Sequence, residues 1–139
     1  MHECLYCTRG EELDRYMLEI CALQVSTLYL HKEQTYTGRC VVALNEHVRE
    51  IFHLTPEKRA LFIEDVAKVA QALEKAFLPD KLNYGIFGDN VPHLHVHIVP
   101  KYKEEGTWGK PFELHPANKR FLTDEEYQAI IEKIVRHLD

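Results

Sequence analysis

Three histidines alternate with apolar residues in His93-Leu94-His95-Val96-His97, and Ile98-Val99-Pro100 follows. Successive side chains of a β-strand point to opposite faces. The run therefore places three imidazoles on one face and Leu94, Val96 and Ile98 on the other. A strand needs polar residues on an exposed face, but it does not need three histidines there. Imidazole is a nucleophile, a general acid or base and a metal ligand near neutral pH, so three in register mark a candidate chemical site. All three do not fit one metal centre, because positions i, i+2 and i+4 extend along ~13 Å of strand, too far for a single tetrahedral ion, although two of them could share a metal.

A second set of chemically capable residues lies at the N-terminus, where Cys4-x-x-Cys7 reads as half a metal site or a redox pair. A redox pair expects a strand before the motif and a helix after it, and that context is missing. A structural zinc site takes four soft or borderline ligands in a tetrahedron. His47, just beyond the apolar run Val41-Val42-Ala43-Leu44, is the third candidate ligand, and a triad histidine can be the fourth.

The elements that must position these groups are legible in the hydrophobic pattern. Residues 17–32 read as two adjacent strands, Thr37-Gly38 as a turn, and Arg39 to Leu44 as a central strand, because it is apolar on both faces. Thr55-Pro56-Glu57 starts a helix with an N-cap, a proline at the first position and an early acid. Phe62, Val66, Val69, Leu73 and Phe77 form its apolar face, and Pro79-Asp80 ends it. Leu82 to Phe87 and Leu94 to Val99 read as strands joined through Gly88-Asp89-Asn90. A long loop carries Trp108 and three prolines. Thr123-Asp124-Glu125-Glu126 is a capping box for a terminal helix with Tyr127, Ile130, Ile134 and Leu138 as its stripe. Consecutive strands joined by short turns are usually antiparallel neighbours. The expected fold class is α+β: an antiparallel sheet with one long and one C-terminal helix packed on one side, in a single domain over residues 1–139.

At 139 residues and a net charge of −5, the chain lacks the basic surface that nucleic-acid polymers require. No apolar run approaches the ~20 residues of a membrane span. The N-terminus carries no basic-then-apolar leader pattern, so the expected location is the cytoplasm and disulfides are not expected. Cys21 and Cys40 fall in apolar runs and read as small core residues. His31, His53, His115 and His137 read as surface residues, and Lys101, Lys103 and Lys110 as solvated charges beside the triad.

The segment from Asn83 to Pro100, with its His-φ-His-φ-His-φ-φ core (φ apolar), resembles the histidine triad (HIT) family of nucleotide-binding hydrolases and transferases. The likeness extends to the N-terminal C-x-x-C, the strand ending near His47, the long helix and the Trp108-Gly109 loop. The resemblance implies that His95 is a nucleophile toward the α-phosphate of a nucleotide conjugate, forming a covalent nucleotidyl-histidine that water then cleaves. It implies that His97 donates a proton or hydrogen bond to the phosphate or leaving group. Cys4, Cys7, His47 and His93 would form a structural zinc site, as in the metal-containing branch. Asn83 and Asn90 match positions that contact phosphate or ribose. Asp89 stands where glutamine is common, and Ile20, Leu23 and Leu28 are candidates for the base pocket. The implied substrate is a purine nucleoside phosphoramidate or a dinucleoside polyphosphate, and the implied assembly is a homodimer. Two alternatives stay open at this point: a nucleotidyltransferase, and a zinc- or nucleotide-binding adaptor with little catalysis.

Overall fold

The structure, a computed structural model, describes residues 4–139. Two short helices, α1 (Leu5–Thr8) and α2 (Glu11–Tyr16), lead into strands β1 (Met17–Ala22), β2 (Ser26–His31) and β3 (Cys40–Leu44). A 3₁₀ turn at Ile51–His53 precedes the long helix α3 (Pro56–Phe77). Strands β4 (Lys81–Gly85) and β5 (His95–Lys101) follow, and α4 (Asp124–Arg136) closes the order. The five strands form one antiparallel sheet in the order β1-β2-β3-β5-β4. β5 thus inserts between β3 and β4 and becomes an inner strand. The expected α+β class and the central place of β3 hold.

Residue parity decides which side chain meets which layer. Leu28, Leu30, Val42, Leu44, Val96 and Ile98 face α3 and α4, and there they join Phe62, Val69, Leu73 and Ile134 in the main core. Burying each large aliphatic or aromatic side chain contributes roughly 1.5–3 kcal/mol. Tyr29, Val41 and Ala43 face the other way and pack beneath Tyr6, Leu13 and Met17 of the N-terminal segment. Both faces are therefore covered, which explains why β3 is apolar throughout and why β2 is buried from Ser26 to Leu30. α1 and α2 had no counterpart in the hydrophobic pattern: segments this short carry too few turns to display a period.

The termini of the elements follow local chemistry. Thr55 accepts from the Lys58 N–H with Pro56 behind it, and α3 stops at Leu78 in the left-handed region (φ 50°), whose N–H donates to the Glu74 carbonyl. The Thr123 capping box is formed from both sides. Buried Asp65 of α3 accepts from the Gln24 and Val25 N–H groups and from Ser26 Oγ, fixing the β1–β2 turn to the helix. Gly38 has φ +89°, and a Cβ there would lie 2.9 Å from the Phe77 ring. That pins the turn that aims β3. The apolar candidates Ile20, Leu23 and Leu28 require correction. They pack in the helix-side core, on the sheet face opposite the triad, because a bulge between Glu19 and Cys21 shifts the β1 register and β2 offers no polar alternation to read.

Candidate active site and metal centre

The three triad histidines lie together, each at most 6% exposed. β5 begins at His95 rather than at Leu94, so His93 stands in the bend just before the strand. His95 and His97 pair with Ala43 and Val41 of β3 and share their face. His97 also lies opposite Gly85 of β4. A Cβ at Gly85 would meet Phe87 at 2.4 Å and Phe112 at 2.9 Å, so glycine is what lets these rings close around His97.

The C-x-x-C motif meets the sheet end. Cys4 Sγ lies 3.2 Å from His93 Nδ1, Cys7 Sγ 3.4 Å from His47 Nδ1, and the two Nδ1 atoms 3.1 Å apart. All four ligand atoms fall within 4.8 Å of one another. A tetrahedron with the usual zinc bond lengths has edges of about 3.3–3.8 Å, so two thiolates and two imidazoles fit a metal of that size. His93 Nε2 sits 2.7 Å from the Leu44 carbonyl. A carbonyl can only accept, so Nε2 carries the proton and Nδ1 keeps its lone pair for the ion, as in other metal sites with a second hydrogen-bonding shell.

His93 also orients its neighbour. His95 Nδ1 donates to the His93 carbonyl at 2.5 Å, which leaves the His95 Nε2 lone pair unprotonated. The Tyr6 ring packs against both imidazoles, at 5.4 Å from His93 and 5.2 Å from His95 between centroids. Burial lowers the His95 pKa from its ordinary value, so the ring is neutral at physiological pH and available as a nucleophile.

These groups open onto a cleft of about 930 Å³ lined by His95, His97, Asn90 and Asp89 together with apolar walls such as Met17 and Phe87. Asn90 and Asp89 are exposed at its rim. Asn83 lies on the histidine face of β4, but it lines a smaller neighbouring hollow of about 270 Å³ beside Phe112. Three residues of the site escaped sequence reasoning: Tyr6, Arg39 and His31. Arg39 is 1% exposed and reaches His97 Nδ1 with Nη2 at 3.4 Å. Its odd-numbered position, in step with Val41 and Ala43, was the available signal. His31 is not a surface residue. It is half-buried on the cleft wall, 6.3 Å from His97 between ring centroids. Lys101 is not solvated either. It is 2% exposed and donates to the Thr107 and Lys110 carbonyls, tying the Trp108 loop to β5.

The buried imidazoles predict acid sensitivity. Burial, then the positive charge of Arg39, brings His31 down to about 4, while Glu33 partly opposes this. The same two causes hold His97 far below its ordinary range. Below pH ~6.5 an unfolded chain binds protons that the folded one refuses, so stability falls as pH drops through that value. For His31 the loss runs from pH ~6.5 to ~4 and amounts to about 3 kcal/mol at most. Denaturant titrations of wild type and His31→Asn across this interval should diverge, with the variant losing less stability on acidification. Parallel curves would contradict the assignment.

Among the described residues, no helix is long and apolar enough to cross a membrane. Comparison with known proteins agrees with the site. The HIT domain matches residues 20–104. A bis(5′-nucleosyl)-tetraphosphatase (asymmetrical) of Schizosaccharomyces pombe is 31% identical over 87 residues, covering 59% of this chain and 48% of that protein. The adenosine 5′-monophosphoramidase hnt1 of the same yeast is 26% identical over 140 residues, 94% of this chain and 95% of that one. A histidine triad protein from Bradyrhizobium japonicum superposes with a TM-score of 0.84 at 24% identity, over 94% of this chain and 96% of the other. A Zn-bound histidine triad family protein from Mycobacterium smegmatis superposes at 0.68 with 18% identity, over 96% and 94%. With the family matched over most of the sheet and α3, and the triad strand set as the inner strand of that sheet, the chain belongs to the HIT domain family.

Proposed function

We propose that the protein is a nucleotide hydrolase that cleaves purine nucleoside phosphoramidates or dinucleoside polyphosphates through a covalent nucleotidyl-histidine on His95. The observation that carries this reading is the His95 ring, held by its Nδ1–H on the His93 carbonyl with Nε2 left unprotonated at the wall of a cleft of about 930 Å³, large enough for a nucleotide. Relatives named as a dinucleoside tetraphosphatase and an AMP-phosphoramidase support it.

In this reading His95 Nε2 attacks the α-phosphorus and forms an N–P bond. The P–N or P–O bond to the leaving group breaks, and the leaving group takes the electron pair. The imidazolium that results keeps its Nδ1–H on the His93 carbonyl, which stabilises the charge. Water then attacks phosphorus, the N–P bond breaks, and neutral His95 returns with a nucleoside monophosphate released. His97 donates a hydrogen bond to a phosphoryl oxygen or to the leaving group, and Asn83 and Asn90 contact the phosphate or ribose. Cys4, Cys7, His47 and His93 would hold zinc, which with four protein ligands would supply rigidity to the segment presenting His95 and leave bond making to the protein's own side chains. The division of one displacement into two easier steps is what a histidine nucleophile adds.

The test is intact-mass measurement after mixing with adenosine 5′-phosphoramidate or diadenosine tetraphosphate. Expected is an adenylyl adduct on the His97→Ala variant, absent when His95 is also replaced. Turnover by wild type with no adduct under any quench would remove the covalent step. Saturable AMP binding without turnover would favour an adaptor.

A further inference from the structure

Arg39 is among the largest fully buried side chains of the protein, yet it borders the cleft. Its guanidinium is fixed on several sides. Nη1 donates to the Leu114 carbonyl at 3.3 Å and lies 4.0 Å from Glu33 Oε1. The guanidinium carbon stands 5.5 Å over the Phe112 ring. Nη2 reaches His97 Nδ1 at 3.4 Å. Glu33 is anchored in turn, with Oε2 accepting from Thr35 Oγ1, from the Thr35 N–H at 3.0 Å and from the Arg120 N–H at 2.8 Å. Glu33, Arg39 and His97 form a chain whose first member is tied to the backbone at two separate places.

A guanidinium carries donors and no acceptor. The His97 nitrogen that faces it must therefore present a lone pair. A neutral imidazole has one N–H, which then resides on Nε2. A doubly protonated His97 would set two cationic donors against each other inside the protein, with His31 and His95 packed alongside and His115 at the cleft rim.

We infer that Arg39 is a positioning residue that locks His97 in the neutral Nε2–H tautomer, so that His97 serves the reaction as a hydrogen-bond donor and not as a proton-releasing acid. The role toward a phosphoryl oxygen rests on the nucleotide-hydrolase reading; the tautomer does not. The proton balance is consistent. His97 keeps its hydrogen, because releasing it would leave an imidazolate. A phosphate leaving group departs as an anion, and an amine leaves as the neutral base by taking a proton from water in the cleft as the P–N bond breaks, so neither departure draws the hydrogen from His97.

The test is long-range ¹H–¹⁵N correlation of the imidazole nitrogens in metal-loaded protein at pH 7, with His97 assigned by its loss in His97→Gln. Expected for wild type is a protonated Nε2 and an unprotonated Nδ1. In Arg39→Met the His97 shifts should move toward the averaged values of exchanging tautomers. With adenosine 5′-phosphoramidate, kcat should fall at least about tenfold while KM changes less than about threefold. A wild-type His97 protonated on Nδ1 or on both nitrogens overturns the inference, whether or not the variant folds. So does a folded Arg39→Met in which either the nitrogen shifts or kcat stay unchanged. If wild type hydrolyses no nucleotide conjugate, the tautomer result still stands and the nucleotide reading is what fails.

Discussion

The expected result of His95→Asn is a folded, metal-loaded protein whose kcat on a nucleoside phosphoramidate falls by at least about 10³-fold. The magnitude follows from what the side chain does. In the proposed mechanism, loss of the His95 nucleophile removes a whole reaction channel, and the cleft can then offer only orientation to a water molecule that is a weaker nucleophile than imidazole. Asparagine retains a donor that can reach the His93 carbonyl, so the local backbone keeps a partner and the melting temperature should stay within a few degrees of wild type. KM should change little, because His95 is one small part of a cleft of about 930 Å³. Steady-state kinetics with a mass check for bound metal separates the possibilities. A variant with a tenth or more of wild-type kcat would sink the covalent mechanism, whatever the fold.

The chemistry of this site was more legible in the sequence than its surroundings were. The alternation of His93, His95 and His97 with apolar residues determined a face, because a strand's period of two admits no other arrangement. Cys4, Cys7, His47 and His93 come together from positions up to 89 residues apart. The C-x-x-C spacing marked Cys4 and Cys7, the position of His47 after β3 made it the third candidate, and His93 as the fourth came from the family resemblance. The long helix was legible from its cap to its stripe for the same reason that helices generally are: local hydrogen bonds and a local period. What failed were inferences that needed the second face of the sheet. β2 is buried from Ser26 to Leu30, so nothing in its side chains says which face meets α3. Leu28 therefore stood with Ile20 and Leu23 as a base-pocket candidate, and it does not line the cleft. Arg39 and Lys101 failed in the opposite sense. Long cationic side chains are expected in water, and only tertiary structure supplies the Glu33 carboxylate and the loop carbonyls that let them be buried. His31 looked like surface because its partner in the cleft, His97, is distant in sequence. The common cause is that burial of a polar group is decided by its partner, and partners here belong to other elements.

Removal of the metal should have the second large effect, and it should act on stability and catalysis together. Protein refolded with stoichiometric zinc should carry one ion per chain. Chelation, or Cys4→Ser, should lower the melting temperature by at least about 10 °C, as expected when a ligand bound only by the native state is withdrawn. The physical reason is topological. Cys4 and Cys7 belong to a segment whose other attachments include the contacts of Tyr6, Leu13 and Met17 with the sheet and the hydrogen bonds of Arg9 to Thr27 and Asn45. The ion would cross-link that segment to the end of β3 through His47 and to the start of β5 through His93. Without it, two thiols and two imidazoles are left crowded within 4.8 Å, and the His93 bend loses its anchor. The carbonyl that orients His95 belongs to that same residue, so kcat should fall in the metal-free state even where the protein remains folded. Zinc added back should restore both properties in step. If activity vanished on chelation while the melting temperature stayed fixed, the ion would be acting at the reaction centre. If both stayed fixed, the four ligands would be a polar cluster and no metal site. The joint loss is the outcome that follows from a donor set closed on all four corners, with His95, the proposed nucleophile, two residues beyond one of them.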